Sequence, residues 1–181
     1  PLKGAKGQVY EGGIRVPFVV SWPAVLKPGQ YRQPVCSLDV FATCIAAAGA
    51  PAPEKPLDGV DIIPFLSGER TGAPHERLYW RTGGGATYAV REGNWKLACP
   101  KDGSPELYDI TTDIGEGNNL AASQAERLDS LLKAYRAFRI GPAPIPEPQG
   151  RQEEGQEKEV RAPRPVKWDL RAGHCASIFS V

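Results

Sequence analysis

Between residues 77 and 110, four short runs of β-branched and aromatic residues are set apart by turn residues, and this spacing predicts an antiparallel sheet. The runs are 77–81 (Arg-Leu-Tyr-Trp-Arg), 86–91 (Ala-Thr-Tyr-Ala-Val-Arg), 94–98 (Asn-Trp-Lys-Leu-Ala) and 106–110 (Glu-Leu-Tyr-Asp-Ile). Glu92-Gly93, with Asn94 directly after, joins the second to the third, and glycine supplies the positive φ of a tight hairpin at little steric cost. Ser123, three residues before Glu126, reads as a capping box. Leu128, Leu131, Leu132, Tyr135 and Phe138 then hold a helical stripe as far as Gly141. One amphipathic helix laid on one small sheet makes an α+β unit, expected over residues 73–140.

The sequence ahead of this unit has another character. Residues 14–22 (Ile-Arg-Val-Pro-Phe-Val-Val-Ser-Trp) read as a strand in which Pro17, lacking an N–H, belongs at an edge, an end or a bulge. Pro23, Pro28 and Gly29 then mark turns. From Ser37 to Ala48 the chain is apolar on nearly every side and stops at Gly49 and Pro51, the pattern of a helix that needs cover on several faces. Residues 51–75 are rich in Pro and Gly around one apolar stretch, Ile62 to Leu66, and predict a long connection. Beyond Gly141 a Pro-rich and then charged tail, 141–181, cannot bury enough apolar area to offset its chain entropy and is expected to be disordered.

Composition narrows the function. With 181 residues, of which 41% are hydrophobic, the chain can bury an ordinary core. A formal charge of +1 gives no basic field for a phosphate backbone, which argues against nucleic acid as a partner. No apolar run approaches the roughly 20 residues that span a bilayer, and the opening residues lack the charged-then-apolar pattern of a signal peptide. Cys36, Cys44, Cys99 and Cys175 have no CxxC spacing and no histidine at zinc-ligand spacing, so they read as small buried residues, with a disulfide left open.

Lys6-Gly7-Gln8-Val9-Tyr10-Glu11-Gly12-Gly13-Ile14-Arg15-Val16-Pro17 closely resembles the sulfatase signature K-G-x-x-Y-E-G-G-x-R-V-P. Later landmarks follow in that family's order: Ser37-Leu38-Asp39, Leu57-Asp58-Gly59-Val60, Tyr88-Ala89-Val90-Arg91, Gly93-Asn94-Trp95-Lys96-Leu97 and Glu106-Leu107-Tyr108-Asp109. Two positions depart from it: Ala42 stands where the family has Pro in D-x-F-P-T, and Ile114 where it has Pro in D-P-x-E. The resemblance, over residues 3–139, implies an α/β fold. Residues 1–72 would end a large alkaline-phosphatase-like domain, and 73–140 would form the small C-terminal domain of about four antiparallel strands and one helix. It also suggests a periplasmic, secreted or lysosomal setting. Methionine is absent and Pro1 lies just ahead of the signature, so we expect a piece of a longer polypeptide.

What the resemblance implies for chemistry centres on Lys6, matched to the lysine that contacts the substrate's sulfate group. The family nucleophile is a formylglycine made within C/S-x-P-S-R. No cysteine here is followed by that pattern, and Ser21-Trp22-Pro23-Ala24-Val25 lacks its final Ser and Arg. The family's calcium ligands would likewise lie outside this chain. The isolated chain is therefore expected to be inactive, its partners being a sulfated small molecule or carbohydrate and the rest of a sulfatase. A phosphate or phosphonate ester hydrolase of the same superfamily, and a non-catalytic module for sulfated glycans, are the alternatives. Glu11 and Arg15 are expected to fix the turn behind Lys6, with Gly12 and Gly13 breaking any helix that would align them. His75 reads as a surface-loop residue and Lys3 as a solvated lysine, while Tyr79, Trp80, Trp95 and Tyr108 read as core rather than as a sugar-stacking platform.

Overall fold

A computed structural model describes residues 2–101, 103–140 and 178–180. In order, the elements are α1 (Glu11–Ile14), β1 (Pro17–Val19), α2 (Leu38–Ala47), α3 (Ile63–Leu66), β2 (Arg77–Thr82), β3 (Thr87–Glu92), β4 (Trp95–Cys99), β5 (Glu106–Asp109), α4 (Ala125–Ile140) and β6 (Ile178–Ser180). A short 3₁₀ turn, Gly83–Gly85, links β2 to β3.

Strands β2 to β5 form one antiparallel sheet in sequence order. Glu92 pairs with Trp95, so the β3–β4 hairpin turns on Gly93 and Asn94, one residue later than expected. Gly93 takes φ 56 at the first central position, where a type II′ turn favours glycine.

Alternation gives each face of the sheet its own core. Val90, Leu97 and Leu107 meet Leu131 and Tyr135 of α4, with Tyr79, Tyr88, Trp95, Leu128 and Leu132 packed around them. Tyr88 stacks on Tyr135 and Tyr79 on Phe138, at ring-centroid separations of 3.8 and 4.2 Å. On the other face Ala89, Ala98, Tyr108 and Ile110 are covered by Val9, with Tyr10 and Trp80 beside them. The signature segment is therefore part of the core of the small sheet. α4 starts at Ala125, and the Ser123 hydroxyl donates to the Leu120 carbonyl (3.2 Å) instead of closing the expected box over Glu126.

The segment from 14 to 48 differs from its sequence reading. Ile14 ends a helical turn and the strand shrinks to β1, paired antiparallel with β6, with Pro17 at its first position. Helix α2 forms, but only Asp39 and Ala42 are buried in it, while Leu38, Val40 and Phe41 face outward, Phe41 at 59% exposure. Cover for those faces is missing among the described residues. Ala42 lies in the body of α2, where it keeps the N–H that a proline would remove. Of the tail, only β6 falls among the described residues, and the expectation of disorder lies outside them. No described helix is long and apolar enough to cross a membrane.

Candidate functional site

Lys6 stands on a tight turn. The Gln8 N–H donates to the Ala5 carbonyl (3.0 Å), and the Ala5 N–H donates to Gln8 Oε1 (2.9 Å). Gly7, at φ +87, supplies the left-handed backbone the turn needs. The Lys6 side chain is exposed and takes part in no ion pair or hydrogen bond among the described residues. Behind it, Gly12 and Gly13 do not break a helix. They form α1, which aligns Glu11 and Arg15 in an i,i+4 pair at 3.1 Å and overturns the expectation. A Cβ on Gly13 would lie 2.6 Å from the Ala5 carbonyl oxygen and one on Gly12 2.6 Å from that of Lys3, so the glycine pair lets α1 press against the lysine turn.

The turn is anchored from below by charge. Lys96 Nζ, buried in the sheet, lies 2.8 Å from Glu11 Oε1 and 2.7 Å from Glu116 Oε1. The Glu11 backbone N–H donates to Glu116 Oε2 (2.7 Å), closing a ring between α1, β4 and the loop after β5. Burial pushes the Glu11 carboxyl up, but Lys96, Arg15 and Arg91 outweigh it and hold the group below the usual carboxylate range. Burial wins at Glu116, whose carboxyl is raised. Glu116 also sits at φ 53, a left-handed conformation unusual for a side-chain-bearing residue, kept in place by these contacts. In the sequence Lys96 stands only as part of the Gly93–Leu97 landmark and Glu116 carries no assigned role, because their meeting depends on the path of the chain. The signal that could have found Glu116 is its place as the acidic residue of the altered D-P-x-E landmark.

Lys3 also departs from expectation. Its Nζ donates to Tyr108 Oη (2.8 Å), lies 3.4 Å from Glu106 and sits 4.2 Å from the centre of the Tyr10 ring. Tyr10 and Tyr108 both donate their hydroxyls to Glu106 Oε2 (2.7 and 2.8 Å). Burial and this carboxylate acceptor drive both phenols well above their ordinary value. Lys3 is thus a tether and Lys6 a free-standing cation, although only Gly4 and Ala5 separate them.

A model of the N-sulphoglucosamine sulphohydrolase C-terminal region matches residues 5–135, a span that holds the lysine turn, its buried anchor and the sheet. This chain belongs to the sulfatase family. Human arylsulfatase A is 32% identical over 166 residues, covering 77% of this chain and 32% of that protein. Mouse steryl-sulfatase is 31% identical over 182 residues, covering 79% and 29%. The crystal structure of Ps i-CgsB in complex with k-i-k-neocarrahexaose superposes with a TM-score of 0.71 at 29% identity, over 77% of this chain and 32% of that one. The sulfatase chain thus spans about a third of the length of these relatives, and its fold is the α/β, alkaline-phosphatase-like one of its solved sulfatase neighbours.

A second group of polar side chains lies apart from the lysine turn. His75 is no surface-loop residue: its side chain is 10% exposed and its Nε2 lies 2.8 and 3.0 Å from the two oxygens of buried Asp39. Asp39 also accepts the backbone N–H groups of Cys36 (2.7 Å) and Val60 (3.0 Å). Gly59 can pass here because a Cβ at that position would strike the Leu38 backbone. Cys36 Sγ is 3.9 Å from His75 Nε2, and burial, then the neighbouring Asp39 charge, push its thiol up. Among the described residues, Cys36, Asp39 and His75 form the one group of three or more such donors close enough to share an ion. One sulfur, one nitrogen and one carboxylate do not suit calcium, which takes six to eight oxygen ligands.

The aromatic residues pack as the sequence suggested. Tyr108 and Trp80 serve one face of the sheet, Tyr79 and Trp95 the other, so they form no common platform. Cys99 is buried as expected, whereas Cys44 is exposed; these two and Cys36 are free thiols, and Cys175 lies outside the described residues.

Proposed function

We propose that this chain contributes the sulfate-contacting cation, Lys6, to a sulfate-ester hydrolase. The observation that carries the reading is the presentation of Lys6: a solvated ammonium on a glycine-shaped turn whose underside is fixed by Glu11, Lys96 and Glu116. Hydrolysis moves a sulfuryl group from an alkoxide or phenoxide oxygen to a nucleophile. Negative charge spreads over the non-bridging oxygens and builds on the leaving oxygen, where cations fixed in advance stabilise it most effectively. A lysine suits this task as a compact charge with three donors. In this reading Lys6 Nζ meets a non-bridging oxygen, and the buried ion pairs only hold the turn.

The formylglycine nucleophile and the calcium ion are proposed to come from polypeptide corresponding to the remaining two thirds of the relatives. Residues 1–72 would complete that large domain, and 73–140 would be the small one. The outward-facing Val16, Val19, Leu38, Val40 and Phe41 support a face that meets more polypeptide. The names of the aryl and steryl relatives, and the oligosaccharide in the Ps i-CgsB complex, point to a sulfated small molecule or a sulfated carbohydrate as substrate.

The test is turnover of an aryl sulfate and of the matching phosphate and phosphonate esters. The purified chain is expected to turn over none of them, and the longer polypeptide to prefer the sulfate. Sulfate turnover by the chain alone would contradict the division of labour. Preference of the longer protein for the phosphate or phosphonate would move the reading to that class of hydrolase.

A further inference from the structure

We propose that Cys36, Asp39 and His75 form a binding site for a thiophilic divalent cation of the zinc class, independent of the sulfate chemistry. The three residues come from the loop before α2, the first turn of α2 and the loop before β2, and their ligand atoms all lie within 4.8 Å of one another. One thiol, one imidazole and one carboxylate is a donor set for a borderline-soft ion, which zinc is and calcium and magnesium are not.

The distances fit such an ion. At zinc bond lengths of roughly 2.0–2.3 Å, tetrahedral ligand atoms stand about 3.3–3.6 Å apart. Sγ to Nε2 is 3.9 Å, and Nε2 to the two carboxylate oxygens is 2.8 and 3.0 Å. Side-chain rotations on the order of 1 Å therefore suffice to reach those separations. Asp39 is already aimed: the backbone N–H groups of Cys36 and Val60 each donate to one of its oxygens, as outer donors orient a ligating carboxylate. Cys36 is only partly buried, which leaves a way in, and three protein ligands leave a fourth position for water. A bound ion would lock the start of α2 to the approach to β2.

The full-length chain is labelled with iodoacetamide with and without one equivalent of zinc, and the modified cysteines are located by peptide mapping. Zinc is expected to slow labelling at Cys36 at least tenfold and to leave the exposed Cys44 unchanged, and His75→Ala should abolish the protection. Equal rates at Cys36 with and without zinc, or protection that survives His75→Ala, would overturn the proposal. Because His75→Ala also breaks the bond to Asp39, the wild-type chain is titrated with cobalt(II) as well. A thiolate-to-cobalt absorption band, saturating at one equivalent and lost in Cys36→Ser, supports the site; a band that persists in Cys36→Ser, or none in the wild type, contradicts it. No ester is hydrolysed in either measurement, so the result is separate from the sulfatase reading.

Discussion

Lys96 holds two carboxylates that would otherwise face each other inside the protein, and its substitution should be severe. Removing one partner of a buried ion pair costs about 3–5 kcal/mol, mostly because the remaining charge is left unpaired. Lys96→Met is therefore expected to fall in that range in urea unfolding of the full chain. The two glutamates should then separate by pH. Glu11 is held below its unfolded value, so its stabilisation is present above that value and fades as pH falls through the folded one. Glu116 is raised, so its contribution is largest below its unfolded value and fades as pH rises through the folded one. The cost of Glu11→Gln should therefore shrink as pH falls below about 4.5, whereas that of Glu116→Gln should shrink as pH rises above it. Parallel trends would mean that the pair shares charge differently from this description.

At the scale of elements, what was legible in the sequence had a period or a turn chemistry to reveal it. Strands β2 to β5 and the stripe of α4 were readable because alternation by two and by about 3.6 follows directly from which face is buried. α1 was not, because its two glycines look like helix breakers until the chain they must touch is known. The same holds for the Cys36, Asp39 and His75 group, whose members are brought together by the path of the chain and not by local spacing. α2 was readable as an apolar helix in need of cover, and Leu38, Val40 and Phe41 indeed face outward among the described residues. Close packing at α1 makes a direct prediction: Gly13→Ala should destabilise the chain by about 1–3 kcal/mol, as overpacked sites do. Gly29→Ala is the control, since the nearest heavy atom to a Cβ there is 3.9 Å away and its effect should be small. Equal stability of the two variants would show that α1 does not press on the lysine turn.

The whole molecule divides by burial. Both faces of the sheet are covered, one by α4 and the other by the signature segment, whereas residues 16–41 expose a run of large apolar side chains. Hydrogen exchange of the isolated chain should therefore find the amides of β3 and β4 slowest and those of 14–48 fast. Equal protection of the two regions would count against the proposal that this face meets more polypeptide. Lys6 and Lys3 are near neighbours that would share any general attraction for an anion, so a difference between them isolates the sulfate contact proposed for Lys6. Steady-state turnover of an aryl sulfate by the longer polypeptide proposed above, with Lys6→Ala and Lys3→Ala measured side by side, tests the proposed role of Lys6 most directly. Lys6→Ala should lower the rate on the order of 10²- to 10³-fold with no loss of stability, as removal of one preorganised donor does. Lys3→Ala should instead cost about 1 kcal/mol of stability through its lost hydrogen bond and ring contact, with the rate nearly unchanged. Rates for the two variants within about threefold of each other, a barrier difference of under roughly 0.7 kcal/mol, would contradict the account.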